Sequence, residues 1–92
     1  MATVEICVGS INSALAAFEG GANRIELCDN LKEGGTTPSY GTLLLVRNQL
    51  SIPVNVLVRP RGGDFLYSDK EFETILQDIQ ICRKLKMDGV VV

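Results

Sequence analysis

Two short patterns near the start of the chain pair an acid with a thiol: Glu5-Ile6-Cys7 and Glu26-Leu27-Cys28. A third stretch, Arg59-Pro60-Arg61-Gly62-Gly63-Asp64-Phe65, gathers two guanidiniums, two glycines and an aspartate. Each set has its own chemistry. Two thiols on one surface can share a soft metal ion. A carboxylate such as Glu5 or Glu26, tuned by its neighbours, can act as general acid or base. The forks of Arg59 and Arg61 suit phosphate or carboxylate. Gly62 and Gly63 let backbone N–H groups come close to a ligand, and Asp64 and Tyr67 are further candidate contacts. Glu33-Gly34-Gly35-Thr36-Thr37 is a second glycine-bearing loop. If it leads into a helix N-terminus, Gly34, Gly35 and Thr37 complete an anion site.

Plainer readings stand beside these. Free cysteine is among the most buried residue types, so Cys7 and Cys28 are also candidate core residues. Arg59 and Arg61 can be spent on nearby carboxylates. Glu5, Glu26 and Arg59 can form one structural ion-pair network inside a barrel. Cys82 sits at the edge of an apolar stripe and reads as packing.

The elements that would position these residues alternate. Val4 to Val8 reads as a strand, with Val4, Ile6 and Val8 on one face and Glu5 and Cys7 on the other. Ser10 is an N-cap candidate, and Ile11, Ala14, Leu15 and Phe18 make a helical stripe that Gly20-Gly21 ends. Arg24 to Cys28 is a second strand, with Glu26 and Cys28 sharing a face. Thr37-Pro38 reads as N-cap and first residue of a helix carrying Leu43, Leu44, Val46 and Leu50. Val54 to Val58 is a third strand. Ser68-x-x-Glu71 is a capping box, opening a helix with Phe72, Ile75, Leu76 and Ile79 on its apolar side. Asp88-Gly89 turns into a fourth strand.

The order βαβαβαβ implies a parallel sheet with right-handed crossovers. An open doubly wound sheet and part of a (β/α)8 TIM barrel both fit. The polar face of the first two strands favours the barrel, because an open parallel sheet is covered by helices on both faces and its strands are apolar throughout. The 92 residues are then one partial domain, about the first half of a barrel of ~250 residues. The closing run Gly89-Val90-Val91-Val92 reads as a strand, so the chain is expected to be the amino-terminal part of something longer. Alone it is expected to be marginal, to aggregate, or to pair with a second copy across its open edges.

Composition narrows the function classes. A net charge of −2 without a basic cluster gives no case for nucleic acid. No apolar run approaches the ~20 residues that span a bilayer. An odd cysteine count and the absence of a basic, apolar leader point to a reducing compartment, the cytoplasm. With no histidine, the commonest general base and the commonest zinc ligand are both missing from the chain.

Four segments together resemble the amino-terminal part of the copper homeostasis protein CutC family: Val4-Glu5-Ile6-Cys7; Gly21-Ala22-Asn23-Arg24-Ile25-Glu26-Leu27-Cys28; Lys32-Glu33-Gly34-Gly35-Thr36-Thr37-Pro38-Ser39; and Arg59-Pro60-Arg61-Gly62-Gly63-Asp64-Phe65-Leu66-Tyr67-Ser68-Asp69. The resemblance implies a (β/α)8 barrel, a cytoplasmic and commonly dimeric protein, and a role in copper tolerance or trafficking. It also implies Cu(I) held by paired cysteines, here Cys7 and Cys28. Family members look like enzymes as well, without an assigned reaction. The residues themselves point to a different reading: a barrel enzyme would hold a small anionic substrate, phosphorylated or carboxylated, on the Arg59–Asp64 loop, with Glu5 or Glu26 moving the proton.

Overall fold

The computed structural model describes residues 2–92. Four strands alternate with three helices: β1 (Glu5–Val8), α1 (Ile11–Glu19), β2 (Arg24–Leu27), α2 (Tyr40–Gln49), β3 (Val54–Leu57), α3 (Asp69–Lys84) and β4 (Gly89–Val91), with a 3-10 turn at Leu31–Glu33. All neighbouring strands are parallel and their spatial order is the chain order, β1-β2-β3-β4. A doubly wound sheet reverses its strand order at a switch point. A barrel wall does not, and this sheet runs on without reversal.

One face of the sheet is dry. Val8, Ile25, Leu27, Val54 and Val56 are buried there against Ala14, Ala17, Leu43, Val46, Leu50 and Cys82 from the helices. Cys82 is core, as its place on the stripe predicts. The expected helical stripes are rotated in part: Phe18, Leu44, Phe72 and Leu76 are exposed. The small residues Ala14 and Ala17 form the buried side of α1 and let it lie close on the sheet, which pushes the larger Phe18 to the flank.

The caps are local and strong. Ser10 Oγ accepts from the Ser13 amide at 3.0 Å. Ser68 and Glu71 form the predicted capping box at α3. At α2 the N-cap is Ser39, not Thr37. Thr37 is drawn away because it bonds the end of β3: its amide donates to the Arg59 carbonyl at 3.0 Å and its Oγ1 accepts from the Arg59 amide at 2.8 Å. At the opposite end of the sheet, Asp88 Oδ2 accepts from the Val54 amide at 2.7 Å and from Arg47 Nη1 at 2.9 Å, tying α2 to the start of β3 and β4.

Candidate functional site

The sheet face away from the helices carries the polar residues. Register places Cys7, Glu26, Asn55 and Gly89 in one row across all four strands. Gly89 has no Cβ because one would lie 2.7 Å from Asn55 Oδ1. Asn55 Nδ2 donates to Glu5 Oε1 at 3.3 Å, and Arg24 Nε pairs with Glu5 Oε2 at 3.3 Å. The network expected among Glu5, Glu26 and Arg59 is therefore not formed. Glu5 belongs to Arg24 near the start of the strands, whereas Arg59 lies beyond the end of β3.

Cys7 and Cys28 share this face, but they are not opposite one another. Cys7 faces Glu26 in the register, so Cys28 lies two residues further along. With ~4.8 Å between strands and ~3.3 Å per residue, their Cα atoms are roughly 8 Å apart. That is beyond the reach of a disulfide without backbone movement, and all three cysteines are free. Cys7 is exposed and its Sγ donates to Glu26 Oε2 at 3.5 Å. Cys28 is buried, with Sγ directed to the Glu26 carbonyl at 3.8 Å. Desolvation, then the hydrogen bond and charge of Glu26 and the charge of Glu5, hold the Cys7 thiol above its ordinary range. Desolvation, Glu26 and Cys7 push Cys28 up to about 11. Both thiols are therefore protonated at neutral pH, in a setting whose negative charge welcomes a cation. Among the described residues no group of three or more histidine, cysteine, aspartate or glutamate side chains is placed to hold a metal.

The glycine loop after β2 is closed on itself. Gly34, Gly35, Thr36 and Thr37 donate their amides to Leu31, Asn30, Asp29 and Arg59 carbonyls at 2.7–3.1 Å. Those amides are spent, and the helix begins only at Tyr40. The expected anion cradle at Gly34, Gly35 and Thr37 is thus absent, because the loop uses its own N–H groups to turn. Gly35 has φ +96, and a Cβ there would meet Leu57 Cδ2 at 2.6 Å.

The two arginines of the next loop differ. Arg61 is saturated: Nε and Nη2 engage Glu71, Nη2 also bonds Asp64 Oδ1 at 3.2 Å and the Leu66 carbonyl at 3.0 Å, and Nη1 bonds the Gly62 and Asp64 carbonyls. It has no donor left for an anion, and its expected role in binding one is not met. Its ion pairs order the loop and hold Asp64 and Glu71 below their usual range, each through a backbone amide first (Leu66 and Ser68) and Arg61 next. Arg59 has no carboxylate within 4 Å among the described residues. Its Nη1 donates to the Glu33 and Gly35 carbonyls and its Nη2 to the Gly63 carbonyl, at 2.8–3.1 Å. Its Nε is buried without an acceptor. An unmet buried donor costs about 1–3 kcal/mol, more when charged, so it calls for a reason. The Gly62 and Gly63 amides also lack a protein acceptor among the described residues.

Sequence reasoning missed the aromatic partners. The Arg59 guanidinium carbon lies 5.0 Å from the Phe65 ring centroid, and that of Arg61 lies 5.3 Å from the Tyr67 ring. Each ring follows its arginine by six residues, a repeat visible in the sequence but mute until the loop folds back. Phe65 and Tyr67 meet edge to face at 6.4 Å. With Leu57, Val58, Gly34, Val91 and Val92 they wall a cavity of about 300 Å³ at the carboxyl ends of β3 and β4, with Arg59 as its charge. A more open depression of about 630 Å³ over Phe65 and Phe72 is edged by Asp69 and Glu73 and has no basic residue in its lining. No helix among the described residues is long and apolar enough to cross a membrane.

Comparison with known proteins adds a second line. Residues 2–92 match the family profile described as CutC family. A CutC family protein of Chromobacterium violaceum is 59% identical over 96% of this chain and 36% of its own length. The human copper homeostasis protein cutC homolog is 54% identical over 96% of this chain and 32% of its own length. A crystal structure of CutC from Streptococcus agalactiae superimposes with a TM-score of 0.93 at 38% identity, over 100% of this chain and 45% of that one. The chain spans about a third of the length of the curated relatives it matches.

Proposed function

This chain belongs to the CutC family, and we propose that it serves copper homeostasis by holding Cu(I) between Cys7 and Cys28. The observation that carries the reading is the placement of both thiols on the sheet face away from the helices, Cys7 opposite Glu26 and Cys28 two residues beyond it. Soft sulfur donors select Cu(I) over harder ions. A human relative is named a copper homeostasis protein cutC homolog, which supports a role in copper homeostasis. The roughly 8 Å between the Cα atoms lets two cysteine side chains lean toward one ion that they bind from opposite sides. Binding must release both thiol protons, so affinity rises with pH.

The test is an anaerobic Cu(I) titration against a competing chelator. It compares the parent with a Cys7→Ser/Cys28→Ser variant shown to be folded by circular dichroism. Tight, stoichiometric binding is expected in the parent alone. Equal binding by two folded proteins overturns the assignment.

A second reading is favoured by Arg59. A guanidinium without a carboxylate, at the mouth of a (β/α)8 wall, suits a barrel enzyme acting on a small anionic substrate. Glu26 or Glu5 would then supply the proton-transfer group, and Gly62, Gly63 and Arg59 the anion contacts. Turnover that fails in Arg59→Met but survives Cys7→Ser/Cys28→Ser would separate it from the copper reading.

A further inference from the structure

We infer that the cavity walled by Leu57, Phe65, Tyr67 and Val91 is a binding site for a small monocarboxylate with a flat apolar body, oriented by Arg59. The inference rests on the second reading above and narrows its substrate class.

Three features select this ligand. The first is charge. Among the described residues Arg24, Arg47 and Arg61 each have a carboxylate partner, and Arg59 has none. Its acceptors among the described residues are three loop carbonyls, which leave the Nε hydrogen and one Nη2 hydrogen without an acceptor and the charge without an anionic partner. One unmatched positive charge fits one carboxylate. A phosphate dianion needs more donors than the cavity lining supplies: the Gly34 amide is spent, and the saturated Arg61 and the free amides of Gly62 and Gly63 lie outside that lining.

The second is the wall. Leu57, Val58, Val91 and Val92 are aliphatic, and Phe65 and Tyr67 stand at 89° to each other, so the space beside the guanidinium is apolar and angular. Such a lining stabilises a planar hydrocarbon or aromatic body and repels a bare, strongly hydrated ion. The third is size. At ~30 Å³ for each water-sized group, a cavity of about 300 Å³ holds a ligand of about ten non-hydrogen atoms.

The site is distinct from the thiol pair, though joined to it: Leu57, one of its walls, also lies against Gly35, and a Cβ on Gly35 would meet Cys28 Cβ at 3.8 Å.

The experiment is calorimetric titration of the full chain with benzoate, its neutral isostere benzamide, and inorganic phosphate, each repeated on two variants. Arg59→Met removes the charge. Val91→Phe fills the cavity while leaving the hydrogen bonds of Arg59 in place, so it stays informative if Arg59→Met unfolds the loop. Saturable benzoate binding is expected, about tenfold or more tighter than benzamide and phosphate, and lost in Val91→Phe and in any folded Arg59→Met. Phosphate binding tighter than benzoate, and sensitive to Arg59, would overturn the monocarboxylate and leave the anionic-substrate reading standing. Benzamide binding as tightly as benzoate, or benzoate binding that ignores Val91→Phe, would likewise overturn it. No saturable binding of either anion would overturn both.

Discussion

Cys7 Sγ donates to Glu26 Oε2 at 3.5 Å across the β1–β2 register, so the exposed thiol of the pair is held protonated by a carboxylate. Burial contributes the largest part of the upward shift and Glu26 the next. Alkylation by iodoacetamide consumes the thiolate, so its rate follows the thiolate fraction. Glu26→Gln removes the charge and is expected to speed Cys7 alkylation severalfold at neutral pH. An unchanged rate would mean that burial and the charge of Glu5 set the thiol without Glu26.

Cys28 carries a pH dependence of stability. Its folded value of about 11 lies above the ordinary 9.0. The folded state therefore binds the proton more tightly than the unfolded state. The stability this gives is complete below pH 9 and is lost as pH rises towards 11. The loss is roughly 2–3 kcal/mol at most. Urea melts across that range should fall more steeply for the parent than for Cys28→Ala. Parallel slopes would refute the coupling.

Gly35 is held by two constraints and Gly21 by one. Both have positive φ, but a Cβ on Gly21 meets nothing within 4 Å, whereas one on Gly35 meets Leu57 Cδ2 at 2.6 Å. Gly21→Ala is expected to cost about 1 kcal/mol in chemical denaturation, from backbone strain alone. Gly35→Ala should cost about 2–4 kcal/mol, because crowding adds to strain. Equal costs would show that Leu57 yields freely.

Asp88 fastens the start of the sheet. The Val54 amide first, and Arg47 second, hold its carboxyl below the usual carboxylate range. The stability it gives is present above its ordinary value of 3.8 and is lost as pH falls through the lower folded value. Asp88→Ala is expected to cost about 1–2 kcal/mol at neutral pH, discounted for an exposed carboxylate, and to flatten the acid limb of the stability curve. A variant that keeps the parent's acid limb would count against the clamp.

Periodic and local features can be read from the order of the residues. Alternation in Val4 to Val8 and Arg24 to Cys28 placed Cys7, Glu26 and Cys28 on the face away from the helices, because side chains alternate along any strand. Polar residues on that face pointed to a barrel wall, which the unreversed strand order bears out. Ser10 and the Ser68–Glu71 box marked helix starts through contacts three residues apart.

Register and choice of partner emerge when the chain folds. Whether Cys7 faces Cys28 or Glu26 depends on how far one strand slides past another, and no local spacing records that. Thr37 carries a fair N-cap signal, but β3 reaches it first through the Arg59 backbone. Arg59 and Arg61 look alike in the sequence. Folding gives Arg61 the carboxylates of Glu71 and Asp64, because the first turn of α3 brings Glu71 to it, and among the described residues no acid reaches Arg59. Hydrogen-bond donors are used up by whichever acceptors the fold delivers, so the free charge at the mouth of the sheet is a property of the folded chain and not of its motif.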